Sequence, residues 1–181
     1  MTTQISNFFI KESPKLRFCQ GDILQNVGVF SFNDEGAAIE ITLLNCVVIN
    51  QECDLEHDYN ARASTNGNQD KYLPNILLLP AYLSEQFRAG THRGNIVCHN
   101  WSSNQWKSIE NNNNPRFHFI SENNALQIPN LVIDFKHCFS IERNYLQKKI
   151  PSVYLASLAE IFRENVSQRY CSFLGRIGLP V

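Results

Sequence analysis

Residues 151–177 limit the fold more than any other segment. Leu155, Leu158, Ile161, Phe162, Val166, Tyr170, Phe173, Leu174 and Ile177 recur at steps of three and four. That spacing lines apolar side chains along one face of an α-helix. Pro151 and Ser152 offer a start, and Gly175 or Gly178 a stop. The pattern predicts one amphipathic helix of about 22 to 24 residues, long enough to cross a domain at 1.5 Å per residue. Burying six or seven large side chains along it would contribute roughly 10 kcal/mol gross, at about 1.5 kcal/mol each.

The preceding 140 residues carry the other periodicity. Leu16 to Leu24 reads as a strand that turns at Gly21-Asp22, and 27–32 as a second strand closed by Asn33-Asp34-Glu35-Gly36. In 37–44, Ile39, Ile41 and Leu43 alternate with Glu40 and Thr42, as in a half-buried strand. Cys46-Val47-Val48-Ile49 is apolar at every position, which implies a strand covered on both faces. Ile76-Leu77-Leu78-Leu79, ended by Pro80, reads the same way. A short helix over 82–88 stopped by Gly90, a turn at 111–114, and strands at 116–120 and 131–135 complete the series. Residues 60–72 are polar and read as a long exposed loop.

With 181 residues, 43% hydrophobic and 11% aromatic, the chain has enough apolar material for one core and is unlike a disordered segment. A single domain over 1–181 is expected, with a β-rich body at 1–140 and a helical segment at 151–178. A net charge of -1 argues against binding nucleic acid through a general basic excess, so any such surface must be a local patch. No stretch reaches the roughly 18 apolar residues of a membrane span, and the start Met1-Thr2-Thr3-Gln4 lacks the basic and apolar regions of a secretory leader. The six cysteines are widely and irregularly spaced, which favours reduced thiols in a cytoplasmic protein over a disulfide framework.

Gln20-Gly21-Asp22-Ile23, then Cys46-Val47-Val48-Ile49-Asn50-Gln51, then Ile76-Leu77-Leu78-Leu79-Pro80 resemble the PemK/MazF toxin family over residues 19–80. The resemblance implies an SH3-like barrel and cleavage of RNA. In that family an Arg-Pro pair precedes the apolar run, and its Arg serves cleavage. The matching positions here are Asn45 and Cys46, which bring no delocalised positive charge to a phosphate. An Arg from elsewhere, such as Arg62, Arg88 or Arg93, would have to take that part.

The densest polar cluster is Asn50-Gln51-Glu52-Cys53-Asp54-Leu55-Glu56-His57-Asp58, directly after a covered strand. Cys53 and His57 are four apart, so one helical turn would aim both the same way, and His92, Cys98 and His99 could complete a tetrahedral zinc set. Nothing else in the sequence calls for a cofactor. A catalytic thiol at Cys53 would need His57, His92 or His99 beside it to form thiolate. Asp22 either closes its turn or meets Asp54 across the sheet as an acid/base pair. The candidate catalytic residues are thus Asp22, Cys53, Asp54 and His57, beside structural roles for all four. Trp101 and Trp106, with His99, Lys107 and Arg116 nearby, suit stacked bases or a protein partner as well as a core. Lys148, Lys149, Arg163, Arg169 and Arg176 suit a solvated face or an anionic partner.

The fold expected is α+β: a small SH3-like or bent antiparallel β-barrel with a long C-terminal helix. The function expected is a non-enzymatic interaction module of a bacterial toxin or phage-defence system. It would engage a protein partner, or RNA, through Gln51, Arg62, Arg93, Trp101 and Trp106. Two alternatives stand beside it: a MazF-like endoribonuclease, and a zinc- or thiol-dependent enzyme centred on Cys53.

Overall fold

Cys46, Val47 and Val48 are all fully buried, although consecutive strand residues point to opposite faces. The architecture supplies a cover for each face. The computed structural model describes residues 2–5, 8–65 and 69–176. Its strands are β1 (Thr2–Ile5), β2 (Phe9–Ser13), β3 (Asp22–Phe32), β4 (Ala38–Val48), β5 (Asn75–Leu83), β6 (Phe117–Ile120), β7 (Leu131–Asp134), β8 (Phe139–Glu142) and β9 (Tyr154–Leu158). Its helices are α1 (Glu52–Ala63), α2 (Ser84–Ala89), α3 (Ser103–Glu110), α4 (Arg143–Val153) and α5 (Glu160–Leu174).

The sheet runs β1-β2-β9-β3-β4-β5-β7-β6, with β8 also paired to β5. Its pairings are antiparallel. Alternation along the central strands sorts the core into two layers. Ile23, Val47 and Leu79 join Leu155, Leu158 and Val166, with Phe162, Tyr170 and Phe173 of α5 laid on that layer. Leu24, Cys46, Val48 and Leu78 join Leu55 of α1 and Leu146, Ile150 and Val153 of α4. A third cluster, Phe87, Trp106, Ile109, Phe117 and Val132, holds α2 and α3 against β6 and β7.

The α+β class, the antiparallel sheet and the C-terminal helix agree with the sequence reading. The barrel does not close: the strand order ends at β1 on one side and β6 on the other. The single helix over 151–178 is replaced by α4, β9 and α5. Pro151 lies in the last turns of α4, where its ring and missing N–H favour termination. Residues 155–158 are all buried and lie between β2 and β3. Strand pairing there satisfies buried backbone groups on both edges, and that outweighs a helical spacing of side chains. Ile161 and Leu174, expected on the buried face, are 78% and 60% exposed. Gly175 does follow the helix, whereas Ile177 and Gly178 lie outside the described residues. The polar stretch expected to be a loop from residue 60 begins later, since α1 extends to Ala63. The two strands expected before residue 33 form one, β3, which starts at Asp22.

A buried ionic group anchors β9. Lys15 Nζ lies 3.0 Å from Asp22 Oδ1, with the two side chains 2% and 0% exposed. Ser157 Oγ donates to the same oxygen at 2.5 Å, and the Cys19 N–H donates to Asp22 Oδ2 at 2.8 Å. Tyr154 OH lies 3.0 Å from Ser157 Oγ, and Lys15 Nζ sits 4.9 Å from the centre of its ring. Burial pushes the Asp22 carboxyl up to about 6, opposed by Lys15 and by the Ser157 and Cys19 donors, so at neutral pH the ion pair persists. A second buried carboxylate, Asp58, accepts from Arg62 Nε and Arg143 Nε, each at 2.7 Å, and from the Leu73 N–H at 2.9 Å. It ties α1 to α4 and to the approach to β5.

Replacing Lys15 with Met leaves Asp22 buried without its cation, and should cost about 3–5 kcal/mol in urea denaturation. The double variant Lys15→Met/Asp22→Asn should recover most of that loss. A single-variant cost under about 1 kcal/mol would show that the pair does not anchor β9.

Candidate functional site

The residues singled out in the sequence separate into two places. Cys53, Asp54 and His57 are on the exposed side of α1, whose inward side carries Leu55, Asp58 and Ala61. The four-residue spacing does put Cys53 and His57 on one helical turn. Cys53 Sγ lies 3.7 Å from Gln51 Oε1 and 3.9 Å from Asp54 Oδ1. Glu52 fastens the start of the helix, taking Arg17 at 2.7 Å, Arg163 at 3.6 Å and the Gln20 N–H at 2.7 Å.

Asp22 does not pair with Asp54, because its oxygens are taken by Lys15, Ser157 and Cys19. Arg62 is committed to Asp58 and to the Leu73 carbonyl at 3.1 Å, and lies over the Tyr72 ring at 4.3 Å. Trp106 is buried, its Nε1 donating to Glu110 at 2.5 Å.

The second place gathers His92, Arg93, Cys98, His99 and Trp101 around a cleft of about 180 Å³, with Phe87, Arg116, Phe117, Asp134 and His137 completing the wall. The loop after α2 is folded back by backbone hydrogen bonds. Gly90 caps α2 in the left-handed region at φ 74°, its N–H bonding to Phe87 O. The Cys98 N–H then returns to Gly90 O at 3.2 Å, and the Trp101 N–H to Arg88 O at 3.0 Å. A Cβ at residue 90 would lie 2.5 Å from Cys98 O, so close approach and positive φ both demand glycine.

The floor comes from the β6–β7 pair. Phe117 is in register with Asp134, which brings Arg116 against the Asp134 carboxylate in a two-pronged pair at 2.8 and 2.5 Å. Planar guanidinium on carboxylate is a strong and orienting arrangement. The turn after β7, with the His137 N–H on Asp134 O at 2.9 Å, delivers His137. Its Nδ1 meets Tyr82 OH at 2.8 Å, and its Nε2 lies 3.8 Å from Asp134 Oδ2. The Tyr82 ring stands edge-on to both His92 and His137, at centroid distances of 4.7 and 5.7 Å. Trp101 stacks on Phe87 at 6.2 Å and 11°, while His99 meets its ring at 4.5 Å.

Burial lowers both His92 and His137 from the usual 6.5, with His137 and Arg93 acting in the same direction on His92, and Arg93 and Arg116 on His137. Burial also raises the Tyr82 hydroxyl to about 12. At neutral pH His92 and His137 are therefore uncharged imidazoles, beside the protonated phenol of Tyr82. With Tyr82 as donor, His137 Nδ1 accepts and its ring hydrogen belongs on Nε2, the nitrogen nearer Asp134. The Arg116 charge is matched by Asp134, whereas exposed Arg93 has no carboxylate partner among the described residues. The arrangement can hold an anionic group at Arg93, stack a flat ring beside Trp101, and exchange protons at two imidazoles.

The five metal candidates do not form one set: Cys53 and His57 are on α1, and the other three line the cleft. Among the described residues, no group of three or more His, Cys, Asp or Glu side chains is placed to hold a metal ion. All six cysteines are free thiols, and Cys19 and Cys46 are buried. The sequence reading missed Tyr82, Asp134 and His137. One signal was available: a charge inside the apolar run Leu131-Val132-Ile133-Asp134-Phe135 must be paired when that strand is buried.

NMR titration of the imidazole carbons should give midpoints below 6.5 for His92 and His137. Between those midpoints and 6.5 the unfolded chain binds protons that the folded one does not. Stability is therefore complete above 6.5 and declines as pH falls through that window. A midpoint at or above 6.5 for either residue would contradict the burial assigned to it. Comparisons of the chain with family models, curated proteins and solved structures found no match.

Proposed function

We propose that the chain is a binding module whose cleft between α2, β6 and β7 takes single-stranded RNA. The observation that supports this most is the placement of exposed Arg93 and half-exposed Trp101 on one wall. Base stacking on an aromatic ring is independent of base identity, and a guanidinium beside it meets the backbone phosphate. A local site of this kind suits a chain of net charge -1, because it requires one well-placed cation and no general basic excess.

The resemblance over residues 19–80 supports the same reading, with the module part of a bacterial toxin or phage-defence system. Asn45, which matches the position of that family's cleavage Arg, lines an adjoining crevice of about 120 Å³ together with Tyr82 and His92. His92 is common to both hollows.

A second reading, RNA cleavage at the same cleft, draws on the two imidazoles. One could take the proton of a ribose 2′-hydroxyl while the other gives a proton to the leaving oxygen, with Arg93 against the phosphate charge. Both imidazoles are uncharged at neutral pH, so the proton donor is populated only below about 6.5. Binding without turnover is the reading we favour.

Fluorescence anisotropy with a 5′-labelled twelve-nucleotide oligo-U RNA tests it. Trp101→Ala should weaken binding about tenfold, the lower part of the range for loss of one stacked base. Arg93→Ala should weaken it and also flatten the salt dependence by about 0.7, one phosphate's share for a single strand. Equal affinity for wild type and both variants would remove the binding reading. Cleavage of the oligonucleotide that is lost in both His92→Ala and His137→Phe would replace it with the enzymatic one.

A further inference from the structure

A separate hollow of about 310 Å³ lies between β2, β6 and α5, at the lower end of volumes that hold small molecules. Four phenylalanines, Phe8, Phe9, Phe119 and Phe162, contribute to its wall, and the rings of Phe8 and Phe162 are 4.2 Å apart. His118 lines it too, although the residue is only 7% exposed. Its Nδ1 is buried with no hydrogen-bond partner. A buried polar atom left unpaired costs free energy that a bound partner would restore.

The rest of the wall defines what that partner is. Among the described residues no Lys or Arg lines the hollow. The nearby Arg169 guanidinium, which acts on His118, is held by the Asn112, Asn114 and Phe117 carbonyls, so an anion would meet no free counter-charge. Glu110, the carboxylate among the described lining residues, already accepts from Trp106 Nε1. Asn112 is spent on the Phe119 backbone, donating to its carbonyl at 3.1 Å and accepting from its N–H at 2.6 Å. Burial takes His118 down to about 3, so its ring is uncharged and offers a neutral hydrogen-bonding edge. Ser121 and Asn165, the other polar lining residues, are exposed to solvent. Phenylalanine walls with an unpaired, buried His118 Nδ1 match a flat, uncharged ring that carries one hydrogen-bonding group.

We propose that the hollow between β2, β6 and α5 is a binding site for an uncharged one- or two-ring aromatic molecule, held between phenylalanine side chains and hydrogen-bonded to His118 Nδ1. This site is independent of the RNA-binding cleft, and its failure would leave that reading untouched.

The test uses the full chain and indole as the probe, followed through the imidazole nitrogen shifts of His118. Saturable binding with a Kd below about 1 mM and a shift at His118 Nδ1 is expected. His118→Phe, which keeps a flat ring and removes the polar atom, should weaken indole at least about tenfold. Ile161→Trp, at an exposed position on the rim, should fill the hollow and abolish binding. Being on the surface, it remains informative if the His118 variant does not fold. Absence of saturable binding by the wild type, or unchanged affinity in Ile161→Trp, would overturn the proposal. So would tighter binding of indole-3-acetate than of indole, because the Arg169 guanidinium near the hollow is already held by three carbonyls.

Discussion

The chain is closed by one buried ion pair. Lys15 and Asp22 lie at the approach to β3, and Ser157 of β9 donates to the same carboxylate. Residues 155–158 have the side-chain spacing of a helix, which pairing to β2 and β3 overrides. So paired, Tyr154 to Leu158 becomes the strand between β2 and β3. Two charges taken out of water stabilise little in net terms, since desolvation offsets most of the Coulomb attraction. Their weight lies in specificity: a buried carboxylate accepts only the arrangement in which its donors arrive together.

The two-sided covering of the sheet follows from that closure. Once β9 is in place, the chain leaving it sends α5 across one face, while α4, which enters it, lies on the other. The Asp58 group then fixes α1 beside α4 through Arg62 and Arg143. Both buried carboxylates thus secure joints between segments distant in sequence, at 22 with 157 and at 58 with 143. The proposed RNA cleft is built differently. It stands on the smaller third cluster at the β6–β7 end, where a loop folded back on α2 by main-chain bonds meets the Arg116–Asp134 pair.

Much of the fold was legible in residue patterns. Cys46-Val47-Val48 reads as doubly covered because no polar residue interrupts it, and Gly90 reads as a stop because it follows a short polar helix. Residues 155–158 misled. Leu155 and Leu158 satisfy a helical spacing and a strand between two neighbours equally, and periodicity alone cannot choose when Ala156 and Ser157 are small enough for both. For the site, residue types near 92–101 were conspicuous in the sequence: three metal-ligating side chains, an Arg and a Trp within ten positions. The cluster at 50–58 was equally conspicuous, yet its members serve the helix surface and an anchoring salt bridge.

Sequence by itself determined the element types that depend on local spacing and turn chemistry: the apolar central strands, the glycine-stopped α2, and the apolar inner face of α5 from Phe162 to Phe173. Tertiary structure alone decided which distant residues meet. Tyr82, Arg116 and the Asp134–His137 turn come from three separate segments, and β9 takes its form from neighbours more than a hundred positions away. Such contacts arise from strand order and register, which follow from burying two faces at once, and no local window of sequence contains that information.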